Sequence, residues 1–106
     1  MPNVVIEINP IGNPTPDQTA EFSLSNQPVN TGEVIFWRNN DERAEHQPMP
    51  VGGAADDWVD RIARCLNGQP ATSSRFGFQT VPTPNEVQYV CALHSGEKGK
   101  LTVSKP

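Results

Sequence analysis

Eleven of the 106 residues are proline, and that count restricts the fold more than any other feature. A proline inside a helix removes one backbone donor and clashes with the preceding turn, whereas turns and strand edges accept it. Eight glycines add to the effect, and the hydrophobic fraction is a modest 35%. Such a mixture suits many short strands joined by turns better than a helical bundle. The length fits a single domain spanning residues 1–106, with one core. Twelve acidic against eight basic side chains give a net charge of -4, with no basic cluster able to follow a phosphate backbone, so nucleic acid is not an expected partner. No run approaches the ~18 apolar residues of a membrane-spanning helix, and "MPNVVIEINP" lacks the basic and apolar regions of a signal peptide.

Along the chain, "VVIEI" (4–8) is β-branched and reads as a first strand, followed by a proline-rich connecting loop over 9–19. "AEFSLSN" (20–26) alternates, with Phe22 and Leu24 expected to face inward, and a turn is expected at "QPVNTGE" (27–33). "EVIFWRNND" (33–41) is too apolar for a half-exposed strand and too short for a helix, so a central strand fits it best. "ERAEHQPMPVGG" reads as an irregular loop bearing His46 and Met49. The period of Trp58, Ile62, Cys65 and Leu66, with Asp56 and Asp57 in the first turn and Asn67-Gly68 at the end, predicts one helix over 55–68. "SSRFGFQTV" (73–81), "VQYVCAL" (87–93) and "KLTVSK" (100–105) read as further strands, with a turn at "TPNE".

The chain has two histidines and two cysteines. His46 and His94 both lie in loops at the ends of strong apolar strands, and Cys91 precedes His94 by three residues. At a strand-to-loop transition that Cys-x-x-His spacing can return both side chains to one point. A single-electron copper site needs a soft thiolate, two imidazoles and often a weak fourth ligand, and these residues are the ones able to supply it. The spacing alone is common. Cys91 could equally be a buried core cysteine or half of a Cys65–Cys91 disulfide, which would close a loop worth about 3 kcal/mol. Cys65, on the apolar face of the expected helix, reads as a small buried hydrophobe.

Two segments carry a resemblance to the cupredoxins, the small blue-copper proteins. "GEVIFWRNNDERAEHQ" (32–47) is similar to the family's strand and loop bearing the first histidine ligand. "FGFQTVPTPNEVQYVCALHSGEKGKLTV" (76–103) resembles the closing hairpin with its Tyr-x-Cys-x-x-His. The resemblance implies an all-β Greek-key β-sandwich, here with the helix inserted, and one copper held by His46, Cys91 and His94. It also implies that Asn39 ties the two ligand loops together. Where the family carries its axial methionine this chain has Glu97, a harder donor that favours oxidised copper and would lower the reduction potential. Met49, the only internal thioether, is the alternative, as is no close axial ligand, and zinc could also accept such a set.

The resemblance further implies one-electron transfer between transient protein partners by a monomer that is not an enzyme, in the periplasm or another extracytoplasmic space. Electrons would pass at the His94 edge through an apolar patch of Ala92, Leu93, Pro48 and Met49. Asp56, Asp57 and Asp60 would either serve the helix dipole or form a docking face for a basic partner. Two other readings stand beside this one: a copper-carrying or copper-storing domain, and a metal-free binding sandwich with a Cys65–Cys91 disulfide.

Overall fold

The computed structural model describes residues 3–106. Eight strands run in the order β1 (Asn3–Thr15), β2 (Gln18–Phe22), β3 (Asn26–Asn30), β4 (Val34–Asn39), β5 (Pro48–Pro50), β6 (Ala71–Thr72), β7 (Glu86–Cys91) and β8 (His94–Ser104). They form two four-stranded sheets, ordered β2-β1-β4-β6 and β3-β8-β7-β5. The expected β-sandwich is therefore present, and the two sheets close over one cluster. Ile6, Ile8, Phe22, Ile35 and Trp37 enter it from the first sheet, and Val29, Tyr89, Cys91, Leu101 and Val103 from the second. In each sheet one pair is parallel, β1 with β4 and β3 with β8, and the remaining ladders are antiparallel.

The run Val34–Asn39 lies between β1 and β6, as its two-sided apolar character requires. Ile35 and Trp37 face the core at 0% exposure. Phe36, on the other face, is covered by the Arg75 guanidinium 4.7 Å from its ring centre, a cation–π contact that shields it from water. Trp37 stacks on Trp58 and Phe76 and meets Tyr89 edge-on, with centroids 5.5–5.9 Å away. Each such pair adds about 0.5–1.5 kcal/mol beyond area burial, so this aromatic group is the mechanical centre of the sandwich.

The expected helix over 55–68 does not form, and no helix occurs among the described residues. Val59, Ile62 and Cys65 are buried, but Leu66 is 57% exposed. Backbone groups of the segment are bonded elsewhere. Ile62 exchanges both N–H···O bonds with His46, Asn39 Nδ2 donates to Ala63 O, and Cys65 N donates to Asp41 O. Asn67 and Gly68, at φ 52° and 77°, are the central residues of a two-residue hairpin turn closed by Leu66 and Gln69. An Asn-Gly pair meets the positive φ of that turn as readily as it ends a helix.

Smaller boundaries shift for similar reasons. The expected loop over 9–19 is mostly the outer length of β1, an exposed hairpin with β2 whose ladder is irregular between Pro10 and Thr15. The expected turn at 27–33 contains β3, which leaves the first sheet for the second, and only Thr31-Gly32 turns, with Gly32 at φ 87°. Leu24 is 49% exposed because it falls in that crossing. Residues 73–81 form no strand and meet β4 through Ser73 N, which donates to Trp37 O, and through one bridge, Phe76 to Ile35, and β5 arises within the expected irregular loop.

Candidate metal centre

His46 is delivered by the chain that leaves β4. Asn39, 0% exposed at the end of that strand, accepts from Asp41 N and donates to Ala44 O and Ala63 O. The loop is thereby folded back, and the His46–Ile62 bridge fixes the backbone of His46 itself. Asn39 thus ties the His46 loop to the segment at 63. The tie to the Cys91–His94 turn runs through Gln47, the residue after His46: Gln47 N donates to Cys91 Sγ at 3.4 Å, and Ala92 N donates to Gln47 O.

The second loop is a tight hairpin. Cys91 ends β7, His94 begins β8, and the two are direct partners across the turn Ala92-Leu93. The ladder then jumps from Cys91–His94 to Val90–Lys98, which leaves Ser95, Gly96 and Glu97 as an excursion on β8 alone. Gly96 N bonds to Asp17 O in the β1–β2 turn. A Cβ at Gly96 would meet that same oxygen at 2.9 Å, so only glycine allows this approach. The excursion returns Glu97 toward the cysteine and histidine it has just left.

Four donor atoms converge as a result. His46 Nδ1 lies 2.7 Å from Glu97 Oε1 and 3.7 Å from Cys91 Sγ. His94 Nδ1 lies 3.5 Å from Cys91 Sγ and 3.2 Å from Glu97 Oε1. All four fall within 4.8 Å of one another. His46, Cys91 and Glu97 are buried, and His94 keeps 12% of its side chain exposed. Two imidazole nitrogens, a thiol sulfur and one carboxylate oxygen around a common point form a mixed soft and hard donor set that copper or zinc can occupy.

Glu97 is held from behind. Its Oε2 accepts from Thr19 N at 2.7 Å and Ala20 N at 3.0 Å, with Thr19 Oγ1 in contact at 3.3 Å, leaving Oε1 for the cluster. Burial opposes its charge, but contact with His46 and the β2 amides outweigh that and keep its pKa below the ordinary carboxylate value. Burial likewise disfavours a charged His46, yet its contacts with Cys91, Glu97 and Asp41 raise its pKa above that of ordinary imidazole. Asp41, 0% exposed, bonds His46 Nε2 through Oδ2 at 2.9 Å. Thr19 Oγ1 donates to the same oxygen at 2.7 Å.

All four residues expected at the site, His46, Cys91, His94 and Glu97, are brought together. Met49 pairs with Val90 in the β5–β7 ladder, one step out of phase with Pro48 and Cys91, so its side chain leaves on the other face. Both cysteines are free, and Cys65 lies outside the donor group, which argues against the disulfide reading. Of the expected surface patch, Ala92 is exposed and Leu93 and Met49 are half-buried, but Pro48 is buried. Sequence reasoning missed Thr19 and Asp41. Asp41 read as a strand end, although its place five residues before His46 was visible; Thr19 carried no signal.

No protein-family model and no curated protein sequence matches the chain. Solved structures do match. Amicyanin from Paracoccus versutus (Thiobacillus versutus) superposes with a TM-score of 0.62 over 96% of this chain and 81% of that one, at 17% identity. An oxidised methionine-to-lysine mutant of amicyanin gives 0.62 over 96% and 82%, also at 17% identity. The copper(I) form of a methionine-to-alanine mutant gives 0.59 over 96% and 82%, at 16% identity. Two sheets in this order, the closing β7–β8 hairpin and these superpositions together establish that the chain has the cupredoxin fold.

Proposed function

We propose that this chain binds one copper ion and carries single electrons between protein partners. The observation that supports this most is the convergence of His46 Nδ1, Cys91 Sγ, His94 Nδ1 and Glu97 Oε1 from two loops, all within 4.8 Å. On a cupredoxin fold those four atoms would hold the metal. Copper supplies a one-electron couple when bound. The chain's own residues supply rigidity: the Gln47 N–H on Cys91 Sγ, the β2 amides on Glu97 and the bridge at His46 restrain the ligands, and restrained ligands reorganise little. Glu97, a hard anionic donor, favours oxidised copper and a lower potential than a thioether would.

His94, the one partly exposed member of the set, beside Ala92, Leu93 and Met49, is where electrons would enter or leave. An electron carrier needs no substrate pocket, and its encounters with redox proteins are small and transient. The family resemblance favours a periplasmic or other extracytoplasmic monomer. Visible and electron-paramagnetic spectra after copper(II) addition test the reading on the chain and three variants. An intense thiolate-to-copper band is expected for the chain and for Cys65→Ser, its loss for Cys91→Ser, and a bluer spectrum for Glu97→Met. Absence of the band from both the chain and Glu97→Met would overturn the proposal.

A further inference from the structure

We infer that Asp41, seated by Thr19, is a positioning residue that fixes the His46 ring and biases the site toward the more highly charged metal state. The inference rests on the metal-binding reading for its redox consequence. His46 has two ring nitrogens, and one of them, Nδ1, faces Cys91 and Glu97. The other, Nε2, has Asp41 Oδ2 at 2.9 Å. With a metal on Nδ1, the ring proton must sit on Nε2, and the Asp41 carboxylate is its acceptor. That arrangement sets the tautomer, holds the ring plane and strengthens donation from Nδ1.

Asp41 is itself held on every side. Oδ1 accepts from Arg43 N at 2.9 Å and from Arg43 Nε at 3.3 Å, and Oδ2 accepts from Thr19 Oγ1. Thr19 also touches Glu97 Oε2 through its hydroxyl and its backbone N–H. One residue of β2 therefore fastens both carboxylates that flank His46, one at each ring nitrogen. Asp41 is 0% exposed, so its charge is poorly screened by water. A third negative charge behind the ring, partly offset by the Arg43 guanidinium and added to the thiolate and Glu97, stabilises copper(II) more than copper(I).

Asp41→Asn keeps the shape but sets an amide N–H or a poorer acceptor against the Nε2–H. Competition titrations of copper(II), copper(I) and zinc(II) on the chain, Asp41→Asn, Thr19→Val and Thr19→Ser read the effect, with the reduction potential measured on the copper forms. Asp41→Asn should weaken copper(II) and zinc(II) by about 10–100-fold and copper(I) less. Each tenfold difference between the copper states raises the potential by about 59 mV. Thr19→Val should move the potential in the same direction by less, and Thr19→Ser should restore it. Unchanged affinities in a folded Asp41→Asn, or equal losses for both copper states, would overturn the inference.

If Asp41→Asn fails to fold, the Thr19 pair decides: a Thr19→Val potential equal to that of the chain overturns it. A chain that gives no thiolate-to-copper band but binds zinc loses the electron-transfer reading alone, because the zinc titration still measures the hold of Asp41 on His46. A chain that binds neither ion overturns both.

Discussion

Glu97 touches His46 with one carboxylate oxygen, at 2.7 Å from Nδ1, and gives the other to the backbone N–H groups of Thr19 and Ala20. One side chain therefore serves both the donor cluster and the joint between β2 and β8. A thioether at this position could not do the second task, because sulfur is a weak acceptor.

Replacing Glu97 should accordingly cost stability even without metal. Glu97→Met leaves the buried Ala20 N–H and the part-buried Thr19 N–H without a partner, at about 1–3 kcal/mol for the buried one and less for the other, partly offset by the apolar burial of the new side chain. Glu97→Gln retains a carbonyl oxygen for the same donors and should lose less. Denaturant unfolding of the two metal-free variants checks the order. Equal midpoints would show that the amides of Thr19 and Ala20 do not depend on Glu97.

Tyr89 and Gly99 are cross-strand partners packed so closely that a Cβ on Gly99 would lie 2.3–2.6 Å from two ring carbons and the hydroxyl oxygen of the tyrosine. Tyr89 cannot yield, since it is fully buried and wedged against Phe22, Trp37 and Trp58. Gly99→Ala should destabilise the protein by roughly 1–3 kcal/mol through overpacking. Gly12→Ala, where nothing lies within 4 Å of the added carbon, is the control and should stay near wild type. A lower denaturant midpoint for Gly99→Ala alone, with an unchanged slope, is the expected result; equal midpoints would contradict the packing argument.

The candidate donor residues were legible in the sequence because copper chemistry restricts residue type, and this chain has only two histidines and two cysteines to offer. The strand Val34–Asn39 was legible because apolar residues on both faces fit only an inner strand. The segment 55–68 was misread because its inward residues, Val59, Ile62 and Cys65, recur at a spacing that a helix can also satisfy. What decides against the helix is tertiary: Trp58 stacks on Trp37 and Phe76, and the backbone at 62 and 63 is bonded to His46 and Asn39. The supports that hold Glu97 and Asp41 beside His46 were illegible for a similar reason. They depend on the Asp17 carbonyl that pins Gly96 and on the Thr19 hydroxyl, neither of which leaves a pattern in the chain.

Away from the site, Glu7 and Arg38 face each other across the parallel β1–β4 ladder, with Arg38 Nε donating to Oε1 at 2.9 Å and Nη2 to Oε2 at 2.5 Å. The Arg38 hydrogen bond, assisted by Asn40 and opposed by burial, lowers the Glu7 pKa from its ordinary value of 4.5. A carboxylate whose folded pKa is depressed stabilises the fold above its unfolded pKa, and that contribution is lost as pH falls through the folded value. Glu7→Gln should therefore be less stable than wild type at about pH 7 and indistinguishable from it at about pH 2. Both side chains are part-exposed, at 46% and 26%, so the difference should be small and should shrink further in concentrated salt. Thermal unfolding of both proteins across this range measures it, and a gap that persists unchanged at the acid end would assign the effect to packing rather than charge.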